Sequence, residues 1–201
     1  MLGIFLDTET NGLNFLKHKI LEIAIKIYDL NNKHEYGSYE SKIFLSFDEW
    51  KEGDPGSLEV TGFTFQEIES GKKITRVKDQ IIQLFQSNNI GRNNSVFICQ
   101  NPSFDRAFFS QIITPNEQEI LKLPYHWLDL ASMFWATKMK REKALGSCEV
   151  DFSKDHIAIE YNIEPEQKPH RAMNGVRHLV KCYEAIVGFP LAIQSKASIR
   201  L

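Results

Sequence analysis

The sequence predicts an α/β domain built on a central mixed five-stranded sheet that is flanked by helices. Three β-rich segments follow one another near the N-terminus with only short polar turns between them. Two later apolar segments each run directly into a helical pattern. Consecutive strands joined by short turns pair antiparallel, whereas strand–helix units add parallel strands, so this order predicts a mixed sheet.

The first three strands are predicted from short apolar runs. The first is LGIFLDTE at 2–9, and the second is KILEIAIKIYDL at 19–30, where the odd positions from 21 to 27 form an apolar face. The third is YESKIFLSF at 39–47, which follows the polar turn NNKHEYGS. These three segments are expected to form the antiparallel part of the sheet.

The remaining elements alternate between helices and short strands. The segment SLEVTGFTFQEIESG at 57–71 predicts a short helix, a turn at Gly62 and then a loop. The later elements are a helix at 74–88, a strand at 95–101 with a helix at 103–113, a strand and helix within 125–138, and helices at 152–163 and 170–187. The domain is expected to span 1–190, and 191–201 is expected to be a peripheral tail.

Charge, hydropathy and cysteine content narrow the classes of function. The 201 residues are 42% hydrophobic and 25% charged, as in a globular domain, and no apolar run approaches a membrane span of about 20 residues. The opening MLGIFLDTE does not resemble a signal peptide, and three cysteines without a CxxC favour a reducing compartment, so we predict a cytoplasmic protein. A net charge of −2 argues against binding of long duplex DNA, but not against binding of a strand end through metal ions.

Acidic side chains lie at the predicted ends of strands. Asp7 and Glu9 are two residues apart in the first strand, so they share a face and repel each other unless a cation lies between them. Asp105 follows the fourth strand near the start of a helix, and His170 stands before the last helix. Taken singly, these groups could be a solvated strand end, a carboxylate at a helix N-terminus and a surface histidine.

The combination of three motifs is more specific. The motifs FLDTETNGL, CQNPSFDRAFF and HRAMNGVRHL occur in this order, accompanied by KILEIA, VTGFT and WLDL. This pattern resembles the DEDDh family of 3′–5′ exonucleases, which includes the proofreading epsilon subunit of DNA polymerase III and ribonuclease T. The resemblance extends from Gly3 to about Val187 and implies a ribonuclease H-like fold.

The resemblance also implies roles for individual residues. Asp7, Glu9 and Asp105 would hold two Mg²⁺ or Mn²⁺ ions, and His170 would be the general base. The family has an aspartate five residues after that histidine, where this chain has Gly175. The predicted site therefore lacks one carboxylate, which Gly175→Asp is expected to supply. If position 175 is not the ligand position, Asp151 and Asp155 are the next candidates.

Residues around the first motif are expected to bind the terminal nucleotides. The resemblance implies that Leu13 and Phe63 pack on bases and that Asn101 lies near the strand backbone, although all three could serve the core instead. The predicted substrate-binding residues are Thr10, Asn11, Gly12, Leu13, Phe63 and Asn101. A basic run at 138–143, comprising Lys138, Lys140, Arg141 and Lys143, could contact phosphates or form a solvated helix face.

The sequence therefore predicts a metal-dependent 3′–5′ exonuclease acting on single-stranded 3′ ends, with DNA favoured over RNA. The alternative is a catalytically impaired nucleic-acid-binding module of the same fold, which Gly175 favours. A polymerase or a second copy of the chain is considered as a partner by analogy with the family only.

Overall fold

Five strands form one sheet in the computed structural model, which describes residues 1–142 and 151–190. They are β1 Leu2–Thr10, β2 Ile20–Asp29, β3 Glu35–Lys42, β4 Ser95–Cys99 and β5 Trp127–Asp129. The sheet order is β3-β2-β1-β4-β5. The β2 strand pairs antiparallel with β1 and β3, whereas β4 pairs parallel with β1 and β5, which confirms the predicted mixed sheet. The predicted tail at 191–201 and Lys143 lie outside the described residues.

The third strand begins earlier than predicted. It starts at Glu35, inside the predicted turn, and ends at Lys42, so the whole apolar run at 43–47 lies outside it. Cross-strand pairing determines this position, since β3 is a polar edge strand whose residues pair with β2 from Glu22 to Tyr28. An edge strand exposes one side to solvent, so it need not carry the apolar alternation on which the prediction relied.

The helices of the described residues account for most of the remaining chain. They are α1 Phe47–Lys51, α2 Pro55–Thr61, α3 Phe65–Glu69, α4 Ile74–Ser87, α5 Pro102–Ile112, α6 Pro115–Ile120, α7 Leu130–Glu142, α8 Lys154–Glu160 and α9 Ala172–Ile186. The predicted loop after Gly62 contains α3, so that prediction was wrong. Thr64 and Glu67 form a capping box that satisfies the first N–H groups of this short helix. None of the helices in the described ranges is long and apolar enough to cross a bilayer.

Helices cover both faces of the sheet. One core layer joins Ile4 and Leu6 of β1 to α4 and α5, and a second layer joins Phe5 of β1 to α7, α8 and α9. Alternate residues of β1 therefore enter different cores, as the two-residue period of a strand requires. This arrangement leaves the carboxyl end of β1 between α5 on one side and α9 on the other.

A carboxylate from the sheet caps the N-terminus of α9. The Ala172 N–H donates a hydrogen bond of 2.8 Å to Glu22 Oε2, and Glu22 is only 3% exposed. Arg171, the residue before the helix, makes no side-chain cap of its own in the described structure. Burial raises the pKa of Glu22, and the bond from Ala172 opposes that rise. The contact fixes the start of α9 against β2.

We expect Glu22→Ala to destabilise the protein by about 1–3 kcal/mol, because the buried Ala172 N–H would lose its acceptor. Glu22→Gln retains an acceptor oxygen and removes a charge that burial disfavours, so it should cost less than the alanine change. Urea unfolding of the two variants measures the difference. Equal losses would show that the hydrogen bond is not what stabilises this junction.

Candidate active site

Two carboxylates of β1 form the base of the site. Asp7 and Glu9 lie on the face of the strand that packs toward α9, and Glu9 is only 7% exposed. Burial, followed by the nearby charges of Asp7 and Glu166, raises the pKa of Glu9 to about 9. Burial also raises the pKa of Asp7. These raised pKa values indicate that the ionised forms of both carboxylates are destabilised in the metal-free protein, so a nearby cation would stabilise them.

Asp105 reaches the same strand end from α5. It lies in the first turn of that helix and is 4% exposed. The Thr8 hydroxyl donates to Asp105 Oδ1 at 2.8 Å, so Asp105 is anchored to β1 through the residue between Asp7 and Glu9. Burial and then the charge of Asp7 raise the pKa of Asp105 well above its ordinary value. The predicted acids of the first two motifs are therefore brought together.

His170 is positioned by the short segment that precedes α9. Its backbone N–H donates to the Val60 carbonyl at 3.2 Å, which attaches the segment to α2. The Arg171 guanidinium donates to the carbonyls of Thr61 and His170, and it stacks 4.0 Å from the Phe63 ring centroid. The imidazole itself is partly exposed, and its Nδ1 lies 3.9 Å from Glu166 Oε1.

Gly175 allows Asp7 to pack directly against α9. A Cβ at position 175 would lie 2.1 Å from Asp7 Oδ2 and 2.6 Å from Asp7 Cγ. Real Cβ atoms do not approach other atoms this closely, so any side chain at 175 would force Asp7 to turn. The expectation that Gly175→Asp simply adds a ligand therefore needs correction, because the carboxylate of Asp7 already occupies that space.

Two further charged residues, Lys154 and Glu166, enter the site, and no sequence motif singles them out. Lys154, the first residue of α8, places Nζ 3.3 Å from Asp7 Oδ1 and 2.7 Å from Glu166 Oε2. Burial alone would lower the pKa of Lys154, but the Asp7 and Glu166 carboxylates raise it above its ordinary value. Lys154 lies three and four residues before the buried Ile157 and Ala158, so helical spacing could have placed it on the buried face.

Asp151 and Asp155, the alternative candidates for the missing ligand, do not join the carboxylate cluster. Asp151 Oδ1 accepts from the Ser153 N–H at 2.8 Å, next to the start of α8. Asp155 Oδ1 accepts from the Glu166 N–H at 3.0 Å. Asp155 therefore orients the backbone at Glu166, whose side chain is the one that enters the site.

A groove lies beside Glu9 at the end of β1. Its volume is about 420 Å³. Leu13, Val60 and Phe104 supply apolar walls, and Leu13 is 77% exposed. Phe63, by contrast, is 5% exposed and packs with the cluster of Leu21, Leu45 and Ile68.

Two predicted substrate residues, Asn11 and Asn101, have structural roles in loops. The Asn11 side chain is fully buried, donates to the Glu49 carbonyl and accepts from the Lys19 N–H. Asn101 adopts a left-handed conformation with φ 55° at the start of α5, and its N–H donates to Asp129 Oδ1.

Thr10 and Gly12, the other two predicted substrate residues near Asn11, shape the turn that follows β1. The Thr10 hydroxyl donates to the Gly12 carbonyl, and the His18 ring lies where a Cβ on Gly12 would be. These contacts set the shape of the turn that carries Leu13.

Part of the basic run is engaged in ion pairs. Lys138 Nζ lies 2.6 Å from Glu160 Oε2, and Arg141 Nη2 lies 2.5 Å from Glu160 Oε1. These contacts join α7 to α8. Their geometry favours the structural interpretation of these two residues over the phosphate-binding one.

The donor set fits divalent cations. Asp7, Glu9 and Asp105 offer carboxylate oxygens, which are the ligands that Mg²⁺ and Mn²⁺ prefer. Burial and the neighbouring carboxylates raise the pKa values of these groups, and a cation placed among them would offset that repulsion. The site is therefore a chemically suitable metal centre.

Comparison with known proteins agrees with this architecture. The RNase T family, described as an exonuclease family, matches residues 4–183. E. coli exonuclease I in complex with a dA16 oligonucleotide aligns over 92% of this chain with a TM-score of 0.72 and 19% identity. The zinc-bound form of the E. coli ExoI–ssDNA complex aligns over 91% with a TM-score of 0.67 and 19% identity.

A second kind of nuclease shares the fold. Cell-death related nuclease 4 aligns over 91% of this chain and 62% of its own, with a TM-score of 0.69 and 15% identity. The chain spans only 41% and 40% of the two exonuclease I chains. These likenesses establish the ribonuclease H-like exonuclease fold. A search of curated protein sequences finds no match.

Proposed function

The chain belongs to the RNase T exonuclease family, and from this membership we propose that it hydrolyses nucleic acid from a single-stranded 3′ end. DNA is the favoured substrate, because E. coli exonuclease I, which shares this fold, has been solved in complex with single-stranded DNA. The observation that carries the proposal is that Asp7 lies close enough to Glu9, Asp105 and His170 to interact with their charges, and that Glu9 lines the groove at the end of β1.

In this proposal, the carboxylates bind divalent cations next to the scissile phosphate. Asp7, Glu9 and Asp105 would bind two ions between them, in keeping with the family resemblance. When bound, such ions neutralise charge on the attacking and leaving oxygens and lower the pKa of water. His170 would accept the proton of the attacking water, which its partial exposure supports.

The groove would hold the terminal nucleotides. Leu13 and Val60 are exposed apolar side chains on its walls, and Phe104 adds an aromatic ring. Apolar and aromatic surfaces bind unstacked bases with little sequence preference, and a stacked base contributes about 1–3 kcal/mol. A groove beside Glu9 thus supports binding of a free strand end.

Polarity is tested with substrates that are blocked at one end. In Mn²⁺ or Mg²⁺, a single strand with a blocked 3′ end should resist digestion, whereas a 5′ block should have no effect. The assay follows release of mononucleotides from labelled DNA and from RNA of the same sequence. Digestion of a circular single strand at the same rate would contradict the proposal and indicate an endonuclease.

A catalytically impaired binding module remains the second candidate, because position 175 lacks a carboxylate and Lys154 already pairs with Asp7. Fluorescence anisotropy with labelled single strands separates the two functions. Tight binding of 3′ ends without any release of mononucleotides in either metal would favour the binding module.

A further inference from the structure

One oxygen of Glu166 is buried without a partner. The Glu166 side chain is 2% exposed, and Oε1 has no hydrogen-bond partner among the described residues. Its distance of 3.9 Å from His170 Nδ1 is too long for a hydrogen bond. A buried carboxylate oxygen with no partner is costly, so this atom requires an explanation.

Glu166 forms a compact group with Glu9 and His170. One ligand atom from each of Glu9, Glu166 and His170 lies within 4.8 Å of the other two. The second oxygen, Oε2, is held 2.7 Å from Lys154 Nζ, and the Glu166 backbone is held by Asp155. Lys154 therefore fixes the orientation of the carboxylate and leaves Oε1 on the side of His170, 3.9 Å from Nδ1.

Glu166 lies where its carboxylate could replace the acid that is absent at Gly175 in α9. A side chain at Gly175 would enter the space of the Asp7 carboxylate, so α9 provides no acid there. Glu166 approaches instead from the segment before α9, on the side of His170. A carboxylate from a different element thus lies next to the residues that the missing aspartate would have joined.

We propose that Glu166 is a metal ligand of this site and supplies, through Oε1, the carboxylate that position 175 lacks. Together with Glu9 it would hold one Mg²⁺ or Mn²⁺ ion beside His170, since both groups offer oxygen ligands to a hard cation. Lys154 acts as a positioning residue for Glu166. This inference deepens the proposed function and rests on it.

Isothermal titration of the metal-free protein with Mn²⁺ tests the assignment directly. E166Q should weaken Mn²⁺ binding by at least about 10–100-fold, because even the loss of an outer-sphere partner commonly costs that much. E164Q is the matched control, since Glu164 is exposed in the same segment. It should bind Mn²⁺ within about twofold of the parent. Equal affinity of E166Q and the parent, or no Mn²⁺ binding by the parent, would overturn the proposal.

A second pair of variants controls for the loss, in E166Q, of one of the two carboxylate partners of the buried Lys154. K154M and the double variant K154M/E166Q both lack the ammonium group, so they differ only at position 166. If Glu166 is a ligand, the double variant should bind Mn²⁺ at least about tenfold more weakly than K154M. Equal affinities in this pair would also reject the proposal.

Nuclease assays on the same variants distinguish this inference from the proposed function. If the parent hydrolyses 3′ ends but E166Q retains full Mn²⁺ affinity, the function stands and Glu166 is not a ligand. If Mn²⁺ binding depends on Glu166 but no strand is cleaved, the ligand assignment stands and the proposed hydrolysis fails.

Discussion

Asp7→Asn is expected to reduce nuclease activity by about 10²–10³-fold and to raise the melting temperature of the metal-free protein. Asn removes a charge from the centre of the cation site. It keeps an oxygen that can accept from Lys154, which lies 3.3 Å from Asp7 Oδ1. Each kcal/mol gained should raise the melting temperature of a chain of this size by about 2–4 °C.

The stabilisation should depend on pH in a defined direction. Burial raises the pKa of Asp7, so the folded parent binds this proton more tightly than the unfolded chain does. The parent therefore loses stability as the pH rises above the ordinary Asp value of 3.8 toward the folded pKa, and Asp7→Asn removes that loss. The advantage of the variant should thus be small near pH 4 and larger at pH 8.

Thermal melts across pH, without metal and with Mn²⁺, provide the measurement. Asp79→Asn, on the exposed face of α4, is the matched control and should change neither activity nor pH dependence. Mn²⁺ should stabilise the parent more than Asp7→Asn. Unchanged turnover in Asp7→Asn would remove Asp7 from the active site.

Substitutions at Gly175 should have the second large effect. Gly175→Ala forces Asp7 to turn and offers no ligand in return, so activity should fall on the order of 10²-fold. Loss of a helical glycine would by itself stabilise α9 by up to about 1 kcal/mol. Reduced activity without a matching loss of stability is therefore the expected signature of a displaced Asp7.

Gly175→Asp should differ from Gly175→Ala in its response to metal. Both displace Asp7, but the aspartate adds a second carboxylate beside that of Asp7, which destabilises the metal-free protein. Mn²⁺ should then raise the melting temperature of Gly175→Asp more than that of Gly175→Ala or the parent. Activity in Mn²⁺ should also be higher for Asp than for Ala.

Calorimetric melts of the three proteins with and without Mn²⁺ make this comparison. If all three show the same metal-induced shift and the same hydrolysis, then position 175 does not face the metal site. The close approach of Asp7 to α9 would in that case have no role in catalysis.

Much of the fold follows from local sequence patterns. The apolar runs of β1, β2 and β4 and the helical spacing of α4, α5 and α9 identify these elements, because alternation and helical periodicity reflect burial along a single segment. The acids at 7 and 9 share a face for the same local reason. The start of β3 and the helix α3 were missed, since an edge strand takes its position from its partner and a short helix depends on its caps.

The composition of the site depends on contacts between distant segments. Lys154 and Asp7 are 147 residues apart in the sequence, yet their side chains form an ion pair. The segment that carries Glu166 has no periodic pattern, so nothing local indicates that its side chain is buried. Only the packing of α9 against β1, and of α8 against α9, brings these two residues to the carboxylates.

At Gly175, the sequence and the tertiary structure each supply a different part of the answer. The sequence by itself places Gly175 where the family resemblance implies an aspartate, because the spacing from His170 can be counted along the chain. Only the tertiary structure decided what the absence does. The carboxylate of Asp7 fills the volume that a Cβ at 175 would need, and Glu166 approaches the site from another segment. The physical reason is steric, since two side chains cannot occupy the same space.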